Sequence, residues 1–406
     1  MSALPTFAAL GLPAPLVAVL AADGITTPRP VQAATLPDAL AGHDILGRAE
    51  TGSGKTLGFC LPLVARLAGG HTMAGRPRGL VLVPTRELAV QVQAVLFPLA
   101  SAMGLSAAVV FGGTSQRPQV SALRNRTDIV VACPGRLADL IEQGHCHLGD
   151  VEVGVIDEAD QMADLGFLPV VRRLLEATPP DGQRLLFSAT LDGAVDVLVR
   201  RFLPRAVRHA VDAAAPPARI SHHLLTVTPA DRVDVIATLA SGQGRVLIFT
   251  RTRHGAHKLA RQLTVAGTPA AELHGNLAQG ARSRNLAALR SGKVRALVAT
   301  DIAARGIHVD DIGLVIHADP PGEHKAYVHR SGRTARGDAD GTVVTVQTPA
   351  QAAAVRTVMR KAGVTPRATI VSPDSAVLRS IAGPGRPPVA RRREKLPVKR
   401  HEGAHW

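Results

Sequence analysis

The hydrophobic positions of this chain form short apolar runs that alternate with longer stretches of helical periodicity. The runs are 44–48, 79–83, 107–111, 128–132, 151–156 and 184–187 in the first half, and 245–249, 270–273, 295–299, 314–317 and 342–347 in the second. Continuous apolar character, as in Leu80-Val81-Leu82-Val83, is typical of strands buried on both faces of a sheet. The alternation predicts an α/β fold with parallel sheets covered by helices.

Two changes of composition divide the 406 residues. Residues 211–218 are rich in alanine and proline, which predicts a linker. The apolar pattern stops near residue 374, and residues 376–406 carry eight Lys or Arg and two Glu. We therefore predict domains at 1–210 and 219–373 and a disordered basic tail at 374–406. Such a tail adds affinity for nucleic acid, or solubility alone.

The net charge is the strongest signal in the composition. Its formal value is +15, with a pI near 11.0. This excess predicts a polyanionic partner, because Lys and Arg release counterions from phosphates, and general solubility is the alternative. Since the chain has only eight Phe, one Tyr and one Trp, few rings are left to stack on bases. We expect nucleic acid to be held through its backbone.

Other features of the composition concern the location of the protein. No segment approaches the roughly 18–20 apolar residues of a membrane span, and the N-terminus lacks a signal-peptide pattern. The cysteines Cys60, Cys133 and Cys146 form no C-x-x-C pair and are expected to be reduced thiols. These features predict a cytoplasmic protein without a membrane partner.

A glycine-containing loop lies between a predicted strand and the helical run 57–68. Its sequence is Ala49-Glu50-Thr51-Gly52-Ser53-Gly54-Lys55-Thr56. The backbone N–H groups can approach phosphate oxygens, Lys55 can reach the outer phosphates, and the Thr56 hydroxyl suits Mg²⁺. Ala49 stands in place of the usual first glycine. The predicted nucleotide contacts are Thr51, Gly52, Ser53, Gly54, Lys55 and Thr56.

An acidic block, Asp157-Glu158-Ala159-Asp160, follows the apolar run that ends at Ile156. Asp157 stands where a strand carboxylate can hold Mg²⁺ through water, and Glu158 is placed to polarise an attacking water. Such a string is weak evidence alone. At the end of a buried strand, in a chain with a phosphate loop, it predicts a nucleotide hydrolase.

A basic segment, residues 329–336, lies in the second predicted domain. It contains Arg330, Arg333 and Arg336, and an arginine delivered across a cleft can stabilise charge on a transferring phosphoryl group. The alternative is a solvated basic helix end.

Taken in order, these motifs resemble those of the DEAD-box RNA helicases, ATP-dependent members of helicase superfamily 2. The similarity extends from about Phe7 to about residue 350, and the order of the motifs is its specific part. It implies two RecA-like domains, ATP and Mg²⁺ as cofactors, and RNA as partner. The implied catalytic residues are Lys55, Asp157, Glu158, Arg333 and Arg336, the two arginines contacting the γ-phosphate.

The resemblance also assigns binding residues. Gln32 would hydrogen-bond adenine and Phe7 would pack near it, which implies ATP over GTP. The implied RNA contacts are Thr85, Arg86, Gly113, Pro134, Gly135 and Arg136 in the first domain and Thr250, Arg282 and Thr300 in the second. The implied coupling residues are Ser188, Thr190 and His329. These groups suit contacts to phosphates and 2′-hydroxyls.

Four positions depart from the family pattern: Glu50, Arg29, Cys133 and His308. Glu50 replaces Gln, Arg29 adds charge near the adenine segment, and Cys133 removes a threonine hydroxyl. His308 stands where the family has an Asp that contacts the ATP ribose. Unless a neighbouring aspartate takes that role, we expect ATP affinity to fall as pH falls through about 6.5, because a protonated imidazole accepts no hydrogen bond. Equal pH dependence in the parent and His308→Asp would contradict this.

The predicted function is RNA-stimulated ATP hydrolysis that unwinds short duplexes or remodels RNA–protein complexes. A DNA-directed motor of the same superfamily and an ATP-gated RNA clamp or scaffold are the alternatives. We expect a monomer that binds single-stranded and short duplex RNA and has ribonucleoprotein partners. Ribosome assembly, mRNA decay and cold adaptation are all compatible with the sequence.

Overall fold

The computed structural model describes residues 5–49, 53–191, 193–210, 220–242, 244–304, 311–335 and 340–383. The chain divides into two compact units, the first built mainly from residues up to 218 and the second mainly from residues after it. Within the described ranges, the strands of each unit form one seven-stranded sheet. Every helix in these ranges falls short of the length or the hydrophobicity that a membrane span requires.

The first unit is a parallel sheet with helices on both faces. Its strands are β1 (Ile45–Arg48), β2 (Gly79–Leu82), β3 (Ala107–Val110), β4 (Ile129–Ala132), β5 (Val153–Asp157), β6 (Gln183–Ser188) and β7 (Val207–Ala210). Its helices are α1 (Ala14–Ala22), α2 (Pro30–Leu40), α3 (Lys55–Leu67), α4 (Arg86–Ala102), α5 (Arg117–Arg124), α6 (Pro134–Glu142), α7 (Ala159–Asp164), α8 (Leu168–Glu176) and α9 (Ala194–Phe202). The strand order is β3-β4-β2-β5-β6-β1-β7, so β5 is central. All residues of β2, β4 and β5 are buried, which explains their apolar sequences.

The second unit repeats this architecture. Its strands are β8 (Ile220–Thr226), β9 (Arg245–Phe249), β10 (Ala270–Leu273), β11 (Ala296–Ala299), β12 (Ile312–His317), β13 (Gly341–Gln347) and β14 (Ala368–Ile370). Its helices are α10 (Arg232–Ala240), α11 (Arg253–Val265), α12 (Gln279–Arg290), α13 (Asp301–Ala304), α14 (His324–Ser331), α15 (Ala352–Lys361) and α16 (Ala376–Ala382). The strand order is β10-β11-β9-β12-β13-β8-β14, and the pairings are parallel.

The predicted fold class is confirmed. Each predicted apolar run overlaps one of the strands, with ends that differ by at most two residues. Strands β7, β8 and β14 were not predicted from the sequence.

The second unit continues beyond residue 373, where the sequence placed the start of a tail. Ala376–Ala382 form α16, and Leu378 is fully buried in the cluster that holds Val235 and Leu239 of α10. A side chain at Gly242 would clash with the backbone carbonyl of Ala382. The predicted boundary is therefore corrected, since α16 is part of the folded unit. The predicted linker at 211–218 and residues 384–406 lie outside the described residues.

Candidate functional site

Gly54 closes the phosphate loop and precedes α3. Its backbone is left-handed, with φ of 95°, and an added Cβ would lie 2.7 Å from Gln32 Nε2 and 2.8 Å from Arg29 Cδ. The Gln32 Nε2 group donates a hydrogen bond to the Gly54 carbonyl oxygen at 3.0 Å, and Gln32 Oε1 accepts one from the Arg29 backbone N–H at 2.8 Å. The predicted adenine-binding segment therefore lies against the phosphate loop. Phe7 is buried in the core of the same unit.

Lys55 is the first residue of α3, and its side chain reaches the acidic block after β5. Its Nζ donates to Glu158 Oε1 at 2.9 Å, and both side chains are buried. Burial alone would lower the pKa of Lys55, but the charges of Glu158 and Asp157 outweigh it and raise the pKa above its ordinary value. The structure thus brings together the two predicted motifs, which the sequence separates by about a hundred positions.

Asp157 ends β5 and is buried. Burial raises the pKa of Asp157 to about 7; Lys55 opposes this shift, and the negative charge of Glu158 adds to it. Two carboxylates beside one ammonium leave this position short of positive charge, which a divalent cation would supply. The Asp157 carboxylate and the Thr56 hydroxyl are oxygen donors of the kind Mg²⁺ takes, and Mg²⁺ needs few protein ligands because it keeps several waters. The residues present therefore fit this cation.

The acidic block is bonded to the segment that follows β6. The Asp160 backbone N–H donates to Ser188 Oγ at 3.2 Å. Asp160 Oδ2 accepts hydrogen bonds from the backbone N–H and hydroxyl of Thr190, at 3.0 and 3.3 Å. Ser188 and Thr190 thus contact the block through Asp160, a residue for which the sequence predicted no role of its own. Its place as fourth residue of the block was the signal for it.

The predicted RNA residues Thr85, Arg86 and Gly113 follow two strands near one side of the first sheet. Thr85 caps α4, with its hydroxyl accepting a hydrogen bond from the Leu88 backbone N–H at 3.3 Å. The Arg86 guanidinium occupies the space above Gly113, whose φ of 76° and close contact with this side chain both favour glycine. The loops after β2 and β3 are therefore in direct contact.

Helix α6 contributes the remaining RNA residues of this unit. Pro134 and Gly135 form its first turn, and the Arg136 Nη1 group donates to the Thr114 carbonyl oxygen at 3.2 Å. Cys133 is the N-cap residue of α6 and makes no side-chain capping bond. Burial raises the pKa of its thiol to about 12, so the thiol is neutral near pH 7. The departure at Cys133 thus leaves this helix start without a side-chain cap.

In the second unit the predicted RNA residues follow the neighbouring strands β9, β10 and β11. Thr250 follows β9, Thr300 follows β11, and Arg282 lies in the first turns of α12. All three are largely buried, and Arg282 Nη1 donates to the His274 carbonyl oxygen at 3.4 Å. The structure places these residues at one side of the sheet, and their contact with RNA stays a prediction.

The basic segment at the end of α14 is not a uniformly solvated helix end. Arg330 is buried, and its Nε and Nη2 groups donate to the Asp301 carboxylate at 2.5 and 2.8 Å. Its Nη1 donates to the Asp319 carbonyl oxygen at 2.7 Å, and its guanidinium lies 5.1 Å from the centre of the Phe249 ring. Arg330 therefore anchors α14 within its own domain.

Other residues of this segment differ in exposure. His329 is exposed in the last turn of α14, whereas Arg333 is partly buried in the turn that follows. The predicted site residues Thr51, Gly52, His308 and Arg336 lie outside the described residues, as does Glu50.

The sequence matches two family profiles. Residues 29–197 match the DEAD/DEAH box helicase profile and residues 231–338 match the helicase conserved C-terminal domain profile. The DEAD-box ATP-dependent RNA helicase 20 of Arabidopsis thaliana is 37% identical, over 86% of this chain and 71% of that protein. The DEAD-box ATP-dependent RNA helicase 3A, chloroplastic, of Zea mays is 41% identical, over 88% of this chain. The chain therefore belongs to the DEAD-box helicase family.

The structure is similar to solved structures of the same class. It aligns with S. cerevisiae Dbp5 bound to RNA and ADP BeF3 with a TM-score of 0.78 at 25% identity, covering 93% of this chain and 100% of that one. The two sheets are thus RecA-like domains, as the sequence predicted. The chain spans 49% of the Zea mays relative and 44% of the probable ATP-dependent RNA helicase ddx27 of Dictyostelium discoideum, about half the length of each.

Proposed function

We propose that this chain hydrolyses ATP when it binds RNA, and that it uses the cycle to separate short RNA duplexes or to remodel RNA–protein complexes. The observation that carries the proposal is the buried contact of 2.9 Å between Lys55 Nζ and Glu158 Oε1. This contact supports the proposal because it joins the ammonium that would bind phosphate to the carboxylate that would orient a water.

The Lys55–Glu158 pair suggests how the residues divide their roles. When ATP binds, the phosphates compete with Glu158 for the Lys55 ammonium, and the released carboxylate is free to orient a water. Mg²⁺ at Asp157 and Thr56 would neutralise charge on the phosphates. Gln32 would exchange its bond to the Gly54 carbonyl for the adenine edge. We infer that Arg333 and Arg336 supply further positive charge, so that turnover needs the second domain.

The proposed RNA site lies on the carboxyl side of neighbouring strands in each sheet. In the first unit the RNA residues follow β3, β4 and β2, and the nucleotide and coupling residues lie at the ends of β5, β6 and β1 or just after them. The carboxyl ends of parallel strands meet at one edge, where ligands of such sheets bind. Arginines, hydroxyls and glycine amides at this edge favour contacts to the RNA backbone.

Phosphate release from ATP tests the proposal directly. It should be measured with single-stranded RNA, with single-stranded DNA and without nucleic acid, for the parent and for Glu158→Gln. We expect stimulation by RNA alone, with turnover reduced at least about a hundredfold in Glu158→Gln. Glu142→Gln is a matched control, because Glu142 is exposed at the end of α6. It should retain the parent rate.

Phosphate release, together with measurements of RNA retention and of strand separation on a short labelled duplex, distinguishes the two alternatives. Stimulation by DNA alone would overturn the proposal in favour of a DNA-directed motor. Slow turnover with ATP-dependent retention of RNA and no strand separation would favour a clamp. A monomeric state, ribonucleoprotein partners and a cytoplasmic location stay predictions for the whole protein.

A further inference from the structure

The second unit contains a groove of about 460 Å³ between α15 and the sheet. We call it the α15 groove. Its apolar surface is formed by Leu224 of β8, Met359 of α15, and Val364 and Pro366 of the following loop. Leu224 and Met359 are buried, whereas Val364 and Pro366 are partly exposed. Its volume lies within the range of roughly 300–1,000 Å³ that is typical of ligand-binding pockets.

The rim of the α15 groove is positively charged. Arg356 and Arg360 line it, both are exposed, and neither forms an ion pair within the described residues. The stretch from residue 341 to residue 373 contains Arg356, Arg360, Lys361 and Arg367 and no acidic residue. An occupant with carboxylates would therefore meet complementary charge.

The strand that lines the groove, β8, is next to the edge of the sheet. Strand β14 is the edge strand, and no other described strand pairs with its outer side. In the parallel register, Leu224 pairs with Ala368 and Thr226 with Ile370. Paired residues of neighbouring strands point to the same face of the sheet, and so do residues two positions apart in one strand. Ala368 therefore shares a face with Leu224, and Ile370 lies on that same face. The Ile370 side chain is 86% exposed and lies on the groove's face of the sheet, outside the residues that line the cavity.

The position and lining favour a protein over RNA. The predicted RNA residues follow β9, β10 and β11, which β12 and β13 separate from β8. The lining contains no aromatic residue on which a base could stack. Carboxylates alone would leave the apolar surface uncovered, whereas a peptide with acidic and large apolar side chains would satisfy both.

The chain's own C-terminal residues do not fit this groove. Residues 384–406 carry seven Lys or Arg and two Glu, so they share the sign of the rim. Helix α16, which precedes them, packs through Leu378 into the cluster of Leu225. Because Leu225 and Leu224 are consecutive strand residues, α16 lies on the opposite face of the sheet.

We propose that the α15 groove binds an extended acidic segment of a partner protein. A large apolar side chain of this segment enters the cavity against Leu224 and Met359, and its carboxylates pair with Arg356 and Arg360. The site goes beyond the proposed function, because none of its residues belongs to the predicted nucleotide or RNA sites.

A peptide selection on the full chain tests the proposal. A random peptide library displayed on phage is selected on the parent, with removal of clones that bind Ala353→Trp. Ala353 lines the cavity and is exposed on α15, so tryptophan there fills the groove. Ala354→Trp is the matched control, since Ala354 is exposed on the same helix and does not line the cavity. We expect the selected peptides to combine acidic and large apolar residues.

Affinities of the selected peptides are then measured by fluorescence anisotropy. Ala353→Trp and the double variant Arg356→Glu/Arg360→Glu should each weaken binding at least about tenfold. Ala354→Trp and Arg379→Glu, a charge reversal on α16 at the opposite face of the sheet, should change it less than about twofold. Melting temperatures verify that each variant is folded, and the double variant decides the matter if Ala353→Trp does not fold.

Three results would overturn the proposal. The selection could yield no peptides that distinguish the parent from the filled groove. Selected peptides could bind the double variant as well as the parent. A labelled oligouridylate RNA could bind the parent and lose its affinity in Ala353→Trp, which would assign the groove to RNA. RNA-stimulated ATP turnover should be the same in Ala353→Trp and the parent, so failure of the proposed activity is seen separately from failure of peptide binding.

Discussion

Glu158 has a left-handed backbone, with φ of 54° and ψ of 51°. For a residue with a Cβ this conformation costs about 1–2 kcal/mol, and it persists only where the surrounding structure imposes it. Here it joins β5 directly to α7 while the side chain contacts Lys55. Backbone strain at a candidate catalytic residue indicates that the position of this carboxylate is fixed by the fold.

A threonine hydroxyl at position 133 should stabilise the first domain relative to valine at the same position. Cys133 precedes α6 with φ of −82° and ψ of 134° and makes no side-chain capping bond. A threonine hydroxyl at this position can accept a hydrogen bond from the first turn, so we expect Cys133→Thr to be about 1 kcal/mol more stable than Cys133→Val. Valine has the same shape without the hydroxyl. Urea unfolding of the two variants measures the difference, and equal midpoints would show that no cap forms.

His317 should make the second domain less stable in acid. It is fully buried, and burial, followed by the nearby charge of Arg330, places its pKa well below 6.5. Its Nδ1 lies 3.1 Å from Thr345 Oγ1. Below about pH 6.5 the unfolded chain takes up a proton that the folded domain excludes, so stability falls by up to about 1.4 kcal/mol per pH unit. Above that pH the contribution of this group is constant.

The variant His317→Asn tests this assignment by thermal unfolding between about pH 5 and pH 8. Asparagine keeps a polar group near Thr345 and does not titrate, so the loss of stability in acid should become smaller. Some loss remains, because burial also lowers the pKa values of His222 and His223. His254→Asn, at an exposed position of α11, is the control. If it flattens the profile as much as His317→Asn, the buried histidine is not responsible.

At the scale of elements, the strands missed from the sequence contain exposed or polar residues that interrupt the apolar pattern. Strand β7 alternates between partly buried and exposed residues, and all three residues of β14 are exposed. Strand β8 contains His222 and His223 in its first half. Central strands are apolar throughout because helices cover both faces, whereas these strands are not. Apolar runs therefore predicted the buried central strands and the edge strands β3 and β10, and missed β7, β8 and β14.

Helix α16 should contribute substantially to the stability of the second domain. Leu378 is fully buried in the core, and its helix is too short to form without such packing. We expect Leu378→Ala to cost about 2–5 kcal/mol. Arg379→Ala changes an exposed residue of the same helix and should cost less than about 0.5 kcal/mol. Urea unfolding compares them, and similar midpoints would show that α16 is not docked.

At the scale of the whole molecule, the predicted RNA residues of each sheet follow three adjacent strands at one side of that sheet. Predicted RNA residues follow β3, β4 and β2 in the first sheet and β10, β11 and β9 in the second, which are adjacent strands at one side. This grouping was not visible in the sequence, because strand order differs from chain order. The motifs identified the residue types at strand ends, and the topology determines which of them become neighbours.

The side-chain ion pairs of the site also could not be predicted from the sequence. Lys55 with Glu158 and Arg330 with Asp301 each join residues from different elements. The motif containing Arg330 and Arg333 gave no sign that the first is buried in an ion pair. A spacing rule describes one element at a time, whereas such pairings depend on how loops from several strands meet.

The corrected end of the second domain changes what a truncation of the tail should do. Residues 384–406 carry seven Lys or Arg and two Glu, and deleting them removes five net positive charges. We expect single-stranded RNA to bind more weakly and with a flatter dependence on salt, by up to about 0.7 in the logarithmic slope for each RNA phosphate that these residues neutralise. The melting temperature should not change.

Deleting 376–406 would also remove Leu378 from the core and should lower the melting temperature. RNA titrations at several salt concentrations, with thermal unfolding of both truncations, separate the two effects. An unchanged salt slope in the shorter truncation would show that residues 384–406 do not bind RNA.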